Sequence, residues 1–189
     1  MDTLTAKALL VLALLLLPAT GQAQTNDQTQ TNGPILAVGY SHKQGGRNLV
    51  TYAVGWRFSF QPPAAVERAT EPYGLDLSLV VEPLLGFTTK DTETVEFSVV
   101  PMVRVEGLRD RSIRPFVEGG VGLTYSDLRG YNLGSRILFS DQIGGGVTFG
   151  TAGPHRWSLG YRLRHISHAG LWAEANSGLN THYLVVTYR

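Results

Sequence analysis

The sequence predicts an all-β chain folded as an eight-stranded antiparallel transmembrane β-barrel, and three observations predict it. Apolar and polar side chains alternate in eight successive segments, and alternate residues of a strand face opposite sides of a sheet. No apolar run after residue 23 has the length of a membrane-spanning helix, so the chain can cross a bilayer only as a closed barrel whose backbone groups all find partners internally. There are 22 glycines in 189 residues, above the usual ~7%. They cluster at Gly119-Gly120-Val121-Gly122 and Gly144-Gly145-Gly146. Such runs oppose helix and suit curvature and close approach in strands.

The first segment precedes the fold. Residues 1–23 hold the single charge pair Asp2 and Lys7, an apolar stretch from Ala8 to Leu17, then Pro18 and small residues, with Gly21 and Ala23 before Gln24. This is the layout of a cleaved signal peptide, and its apolar core is short for a membrane span. Residues 24–33 are polar and threonine-rich and are expected to form a disordered mature terminus. The barrel is expected over residues 34–189. With no cysteine there is no disulfide framework or thiolate metal site. Export without disulfides suits a bacterial envelope protein, and the expected location is the bacterial outer membrane. A net charge of +1, from 16 basic and 15 acidic residues, gives no support to nucleic-acid binding.

Strands are expected near 34–42, 49–60, 73–87, 93–105, 114–125, 136–149, 156–168 and 180–189. On the third, Leu75, Leu77, Leu79, Val81, Leu85 and Phe87 share one face and Asp76, Ser78 and Glu82 the other. On the fourth, Val95, Phe97, Val99, Val103 and Val105 oppose Thr94, Glu96, Ser98 and Arg104. The fifth sets Val117, Val121, Leu123 and Tyr125 against Glu118 and Thr124. In the sixth, Asp141 falls on the apolar parity, the mark of a bulge or a rim. The seventh sets Trp157, Leu159, Tyr161 and Leu163 against Ser158, Gly160, Arg162 and Arg164. Several of these strands are long enough to cross a bilayer with tilt. Pro83 and Pro101 interrupt the pattern, since proline cannot donate to a ladder. The connection Gln61–Pro72 is long for a turn on the periplasmic side, and is read as a short helix or a missed hairpin.

Parity alone does not distinguish the inside of a barrel from its outside, and a soluble lipocalin-like barrel has the same alternation. Two features favour the membrane. Charges stand mid-strand, so Glu82, Glu96, Glu118, Arg104, Arg162 and Arg164 are expected to face the lumen and pair there. The chain also ends on Tyr183-Leu184-Val185-Val186-Thr187-Tyr188, close to the aromatic-ended last strand of outer-membrane barrels, with Arg189 as a departure.

One place has the residues for chemistry. His165 and Ser167 stand at i and i+2 of the seventh strand, on one face and about 6.5–7 Å apart along the chain, so they can form a base–nucleophile pair. Their parity is that of Trp157, Leu159 and Tyr161, the lipid-facing side. With both termini periplasmic, this end of the strand lies at the outer-leaflet surface. The eighth strand descends beside it, and Asn180 shares the outward parity of His182, Leu184, Val186 and Tyr188. Three groups thus converge where a lipid esterase would need them. His42, His155, His168 and His182 have no metal-ligand spacing and are read as surface or interfacial residues.

The segment Arg164-His165-Ile166-Ser167-His168-Ala169-Gly170-Leu171, followed by Asn176-Ser177-Gly178-Leu179-Asn180, resembles the C-terminal signature of the PagL-type lipid A 3-O-deacylases. These are eight-stranded outer-membrane barrels with a Ser-His-acid site on the lipid-facing surface. The resemblance implies Ser167 as nucleophile, His165 as general base, and lipid A of the outer-leaflet lipopolysaccharide as substrate. No metal or organic cofactor is implied, and the reading admits a homodimer. Two positions depart from the signature: the family's acid, a Glu, is Asn180 here, and the Asn that follows the serine is His168. An Asn orients a catalytic His and sets its tautomer but does not offset imidazolium charge. Glu174 is the rival acid. Asn176 and Gly170 are candidates for oxyanion support, together with the backbone N–H groups after Ser167. The expected function is an outer-membrane esterase that removes the 3-O acyl chain of lipid A. The alternative is a non-catalytic structural barrel that has lost the acid of its triad.

Overall fold

A computed structural model describes residues 32–43, 47–90, 92–108, 111–128, 131, 133–150, 155–171 and 176–189. The expected signal peptide, and the expected disordered terminus up to residue 31, lie outside the described residues. Eight strands form one closed barrel in sequence order, each antiparallel to its neighbours. They are β1 (Gly33–Lys43), β2 (Arg47–Phe60), β3 (Asp76–Lys90), β4 (Thr94–Glu106), β5 (Ile113–Ser126), β6 (Ile137–Phe149), β7 (Trp157–Ser167) and β8 (Leu179–Tyr188). β1 closes the barrel by pairing with β8, from Ile35↔Thr187 to Tyr40↔His182.

The long connection is a helix, α1 (Ala64–Thr70), followed by a 3₁₀ turn over Glu71–Tyr73. Neither contains a buried residue, so the segment lies on the exterior. The turn ends at Gly74, whose φ of 65° is the left-handed conformation glycine adopts without penalty. This is why β3 starts at Asp76 and not at the expected residue 73.

The parity reading holds around the barrel. Phe97, Val103, Val121, Leu123, Leu159 and Tyr161 point outward, while the six charged residues assigned to the lumen are each no more than 6% exposed. A carboxylate or guanidinium in low dielectric is costly unless its partners surround it, and each of these has them. Arg57 Nε donates to Glu82 at 2.6 Å and Arg162 donates to Glu82 at 2.7 Å. Glu118 accepts from Arg57 and Arg104, both at 3.1 Å, and from Arg162. Arg164 holds Glu96 at 2.5 Å. The terminal Arg189 turns inward and donates to Glu106 at 2.8 Å. The departure from a terminal aromatic therefore puts a cation into this network.

Pro83 and Pro101 each sit in a gap of the ladder. Pairing between β2 and β3 passes from Gly55↔Leu84 to Phe58↔Val81, and between β4 and β5 from Val99↔Leu123 to Met102↔Gly120. Register is unchanged across both gaps. Gly55 lies against the Pro83 carbonyl, and Gly120 against that of Pro101.

At the end opposite the termini the interior is apolar: Leu49, Leu128, Tyr131, Leu133, Leu138, Ile166 and Leu179 pack as one cluster. His168 is fully buried, which corrects its reading as a surface residue. It follows Ser167 in parity and therefore turns inward. His155 and His182 are exposed as expected; the side chain of His42 lies outside the described residues.

Candidate active site

β7 and β8 place His165 and Asn180 directly opposite one another on the outward face. Their side chains meet, His165 Nδ1 to Asn180 Oδ1 at 2.7 Å. An amide oxygen only accepts, so Nδ1 carries the proton and Nε2 is left as the basic nitrogen. The next pair, Ile166↔Leu179, points inward into the apolar cluster. Packing on the inside thereby fixes the two strands whose outer faces carry the polar pair.

Gly178 completes the His165 position. Its φ is +61°, and a Cβ built on it would stand 2.9 Å from His165 Nε2 and closer still to Cε1. The imidazole occupies the space of the missing side chain. In the sequence this glycine is visible in Asn176-Ser177-Gly178, but there it signals only a turn; the ring contact depends on the fold.

Ser167 ends β7 on the same face as His165, opposite Phe139 of β6. The expected hydrogen bond between Ser167 and His165 is not made. Ser167 Oγ instead accepts from Ala169 N–H at 3.4 Å, a long bond. The following turn has positive φ at both Ala169 (52°) and Gly170 (74°), closed by Leu171 N–H to His168 O at 3.0 Å. This is a type I′ turn. The left-handed alanine stores about 1–3 kcal/mol of strain, of the kind found at functional sites. The turn holds the Ala169 N–H against the serine hydroxyl. A Cβ built on Gly170 would meet no atom of the described residues within 4 Å.

Asn176 lies in the approach to β8, with its Oδ1 buried and without a hydrogen-bond partner among the described residues. Glu174, the rival acid, lies outside the described residues. Among those described, no three His, Asp or Glu side chains converge as a metal site. On the other flank of His165, β6 presents Asp141 directly opposite it. The sequence signalled this residue by its parity but not its neighbour.

Below the site the outward wall carries His182, bonded to the Tyr161 hydroxyl, and then the exposed Leu159 and Leu184. At the opposite end Trp157 packs on Tyr188, with ring centroids 4.6 Å apart, and Tyr188 hydrogen-bonds His155 at 2.6 Å. His165 stands eight positions after Trp157. At about 3.3 Å per residue and a tilt of about 40°, that is roughly 20 Å of height. His165 is therefore near the top of an apolar belt about 25 Å tall, with Ser167 at its edge.

The family model described as lipid A 3-O-deacylase (PagL) matches residues 20–189. A curated relative, the lipid A deacylase PagL of Pseudomonas aeruginosa, is 40% identical over 76 residues, which are 39% of this chain and 41% of that protein. The matched segment thus spans less than half of the relative. Among solved structures, the outer-membrane enzyme PagL superposes with a TM-score of 0.63 at 25% identity, covering 82% of this chain and 97% of that one. Neisserial surface protein A superposes with a TM-score of 0.57 at 12% identity, covering 83% and 93%, and shows likeness of fold alone.

Proposed function

The chain belongs to the PagL family of lipid A 3-O-deacylases, and from that membership we propose that it is an outer-membrane esterase releasing the 3-O-linked acyl chain of lipid A by Ser-His chemistry. The observation that carries the reading is the 2.7 Å hydrogen bond between His165 and Asn180 on the lipid-facing wall, beside Ser167. A polar pair is costly on that face, and one set at the height of the acyl–headgroup boundary meets the ester bonds of the outer leaflet. Residues 1–23 serve as the export signal in this reading.

The reaction follows from the two nitrogens. Ser167 Oγ attacks the ester carbonyl carbon while its proton passes to His165 Nε2. The carbonyl oxygen takes up negative charge, for which the N–H groups of Ala169 and Gly170, with the Asn176 amide, are the nearby donors. Collapse breaks the bond to the sugar oxygen, and His165 returns its proton to that oxygen. Water, deprotonated by Nε2, then attacks the acyl-Ser167 ester; the acyl–Oγ bond breaks, His165 returns the proton to Ser167 Oγ, and the fatty acid is freed. Asn180 holds the ring in the tautomer that both halves require. The released chain lies along the apolar wall beneath the site, over Leu159 and Leu184.

Mass spectrometry of lipid A from cells expressing wild type and Ser167→Ala tests this. Loss of one 3-O acyl mass with wild type only supports the reading. Deacylation by Ser167→Ala at the wild-type rate sinks the Ser-His mechanism. Intact lipid A in both makes the protein a structural barrel. Recovery of the protein in soluble periplasm removes the membrane reading altogether.

A further inference from the structure

The mechanism above develops a charge on His165 that its hydrogen-bond partner among the described residues does not offset. When Ser167 gives up its proton, His165 becomes an imidazolium, and the Asn180 amide that orients it carries no charge. The lumen carboxylates cannot serve. Glu82, Glu96 and Glu118 are buried on the other side of the barrel wall and engaged by Arg57, Arg104, Arg162 and Arg164.

Asp141 is the carboxylate in register with His165. It stands on the outward row of β6 between Phe139 and Ile143, and its cross-strand neighbours are Val121 on β5 and His165 on β7. It is exposed, and it makes no hydrogen bond or ion pair among the described residues. A carboxylate flanked by Val121, Phe139 and Ile143 on a lipid-facing wall is unfavourable there, less steeply near the interface than at the midplane. The polar neighbour it does have is His165. Side chains directly opposite on antiparallel strands have Cβ atoms about 4.5–5.5 Å apart, which puts this carboxylate beside the imidazolium that forms when His165 takes the serine proton. Among the described residues, the other titratable groups on the strands beside the ring are His182, two residues beyond Asn180 and bonded to the Tyr161 hydroxyl, and His168, which is buried inside. Neither supplies negative charge.

We propose that Asp141 is a positioning carboxylate for His165, stabilising across the β6–β7 pair the imidazolium that Asn180, across the β7–β8 pair, only orients. The site is then a row of three residues, Asp141, His165 and Asn180, beside Ser167, in which the two functions of a triad acid are divided between two strands: Asn180 sets the tautomer and Asp141 supplies the charge. This rests on the assignment of Ser167 and His165 as nucleophile and base.

The test measures lipid A deacylation in outer membranes containing wild type, Ser167→Ala, Asp141→Asn, and Asp141→Asn combined with Asn180→Asp. Heat-modifiable gel mobility verifies that each barrel is folded. Asp141→Asn keeps the shape and removes the charge, so kcat should fall about tenfold to a hundredfold with KM changed less than about twofold. Placing a carboxylate at residue 180 should restore at least a tenfold part of that loss, which a merely structural role for Asp141 would not allow. Wild-type kcat in Asp141→Asn, a rise in KM alone, or failure of Asn180→Asp to rescue overturns the inference while leaving the Ser-His reading standing. Activity retained by Ser167→Ala, or none in wild type, overturns that reading and this inference with it.

Discussion

The imidazole of His165 lies where a side chain on Gly178 would stand, its Nε2 2.9 Å from the Cβ that glycine lacks. The base of the site is thus seated by an absence, and the left-handed φ of Gly178 opposes any substitution there a second time. Gly178→Ala should displace the ring from Asn180 and cut deacylation at least about tenfold, the loss of one well-placed hydrogen bond. Heat-modifiable mobility should persist, because the clash is on the outer face. Wild-type activity in Gly178→Ala contradicts the packing described.

Ser167→Ala and His165→Ala should each abolish deacylation, by about a hundredfold or more, with the barrel intact, since neither side chain belongs to the lumen network. Asn180→Ala should lower the rate about tenfold, because one neutral hydrogen bond to the ring is lost. Rates from lipid A mass spectra over time separate the two classes. Equal loss in all three variants assigns Asn180 more than orientation.

Glu82 is bonded by both Arg57 and Arg162 in the middle of the lumen. Glu82→Ala leaves two buried guanidinium groups short of a partner and should destabilise the barrel by about 3–5 kcal/mol. Urea titration of the folded, unheated gel band should read this as an earlier midpoint. Activity of the folded fraction should stay near wild type, since the network and the site lie on opposite sides of the wall.

Gly120 faces the Pro101 carbonyl across the β4–β5 gap, and a Cβ there would come within 2.7 Å of Met102 Cα. Backbone cannot yield as a flexible side chain does. Gly120→Val should impair barrel closure, seen as loss of the heat-modifiable form and of outer-membrane recovery. Normal assembly would mean the two strands can separate without cost.

What depends on period two was legible along the chain. Alternation set Glu82, Arg104 and Arg162 on one face of the wall and His165 and Ser167 on the other, because the face of a strand residue follows from parity within its own strand, and the mid-strand charges marked the first face as the lumen. The motif around His165 and Asn180 was legible for the same reason, with adjacent strands and matching parity. Tertiary structure alone decided what depends on register between strands and on space. That Asp141 is level with His165 follows from the β6–β7 stagger, which no local pattern encodes. That Gly178 seats the imidazole and that Ser167 Oγ turns to Ala169 N–H are packing outcomes. Each requires the positions of atoms from separate strands and turns, and these exist only once the barrel has closed.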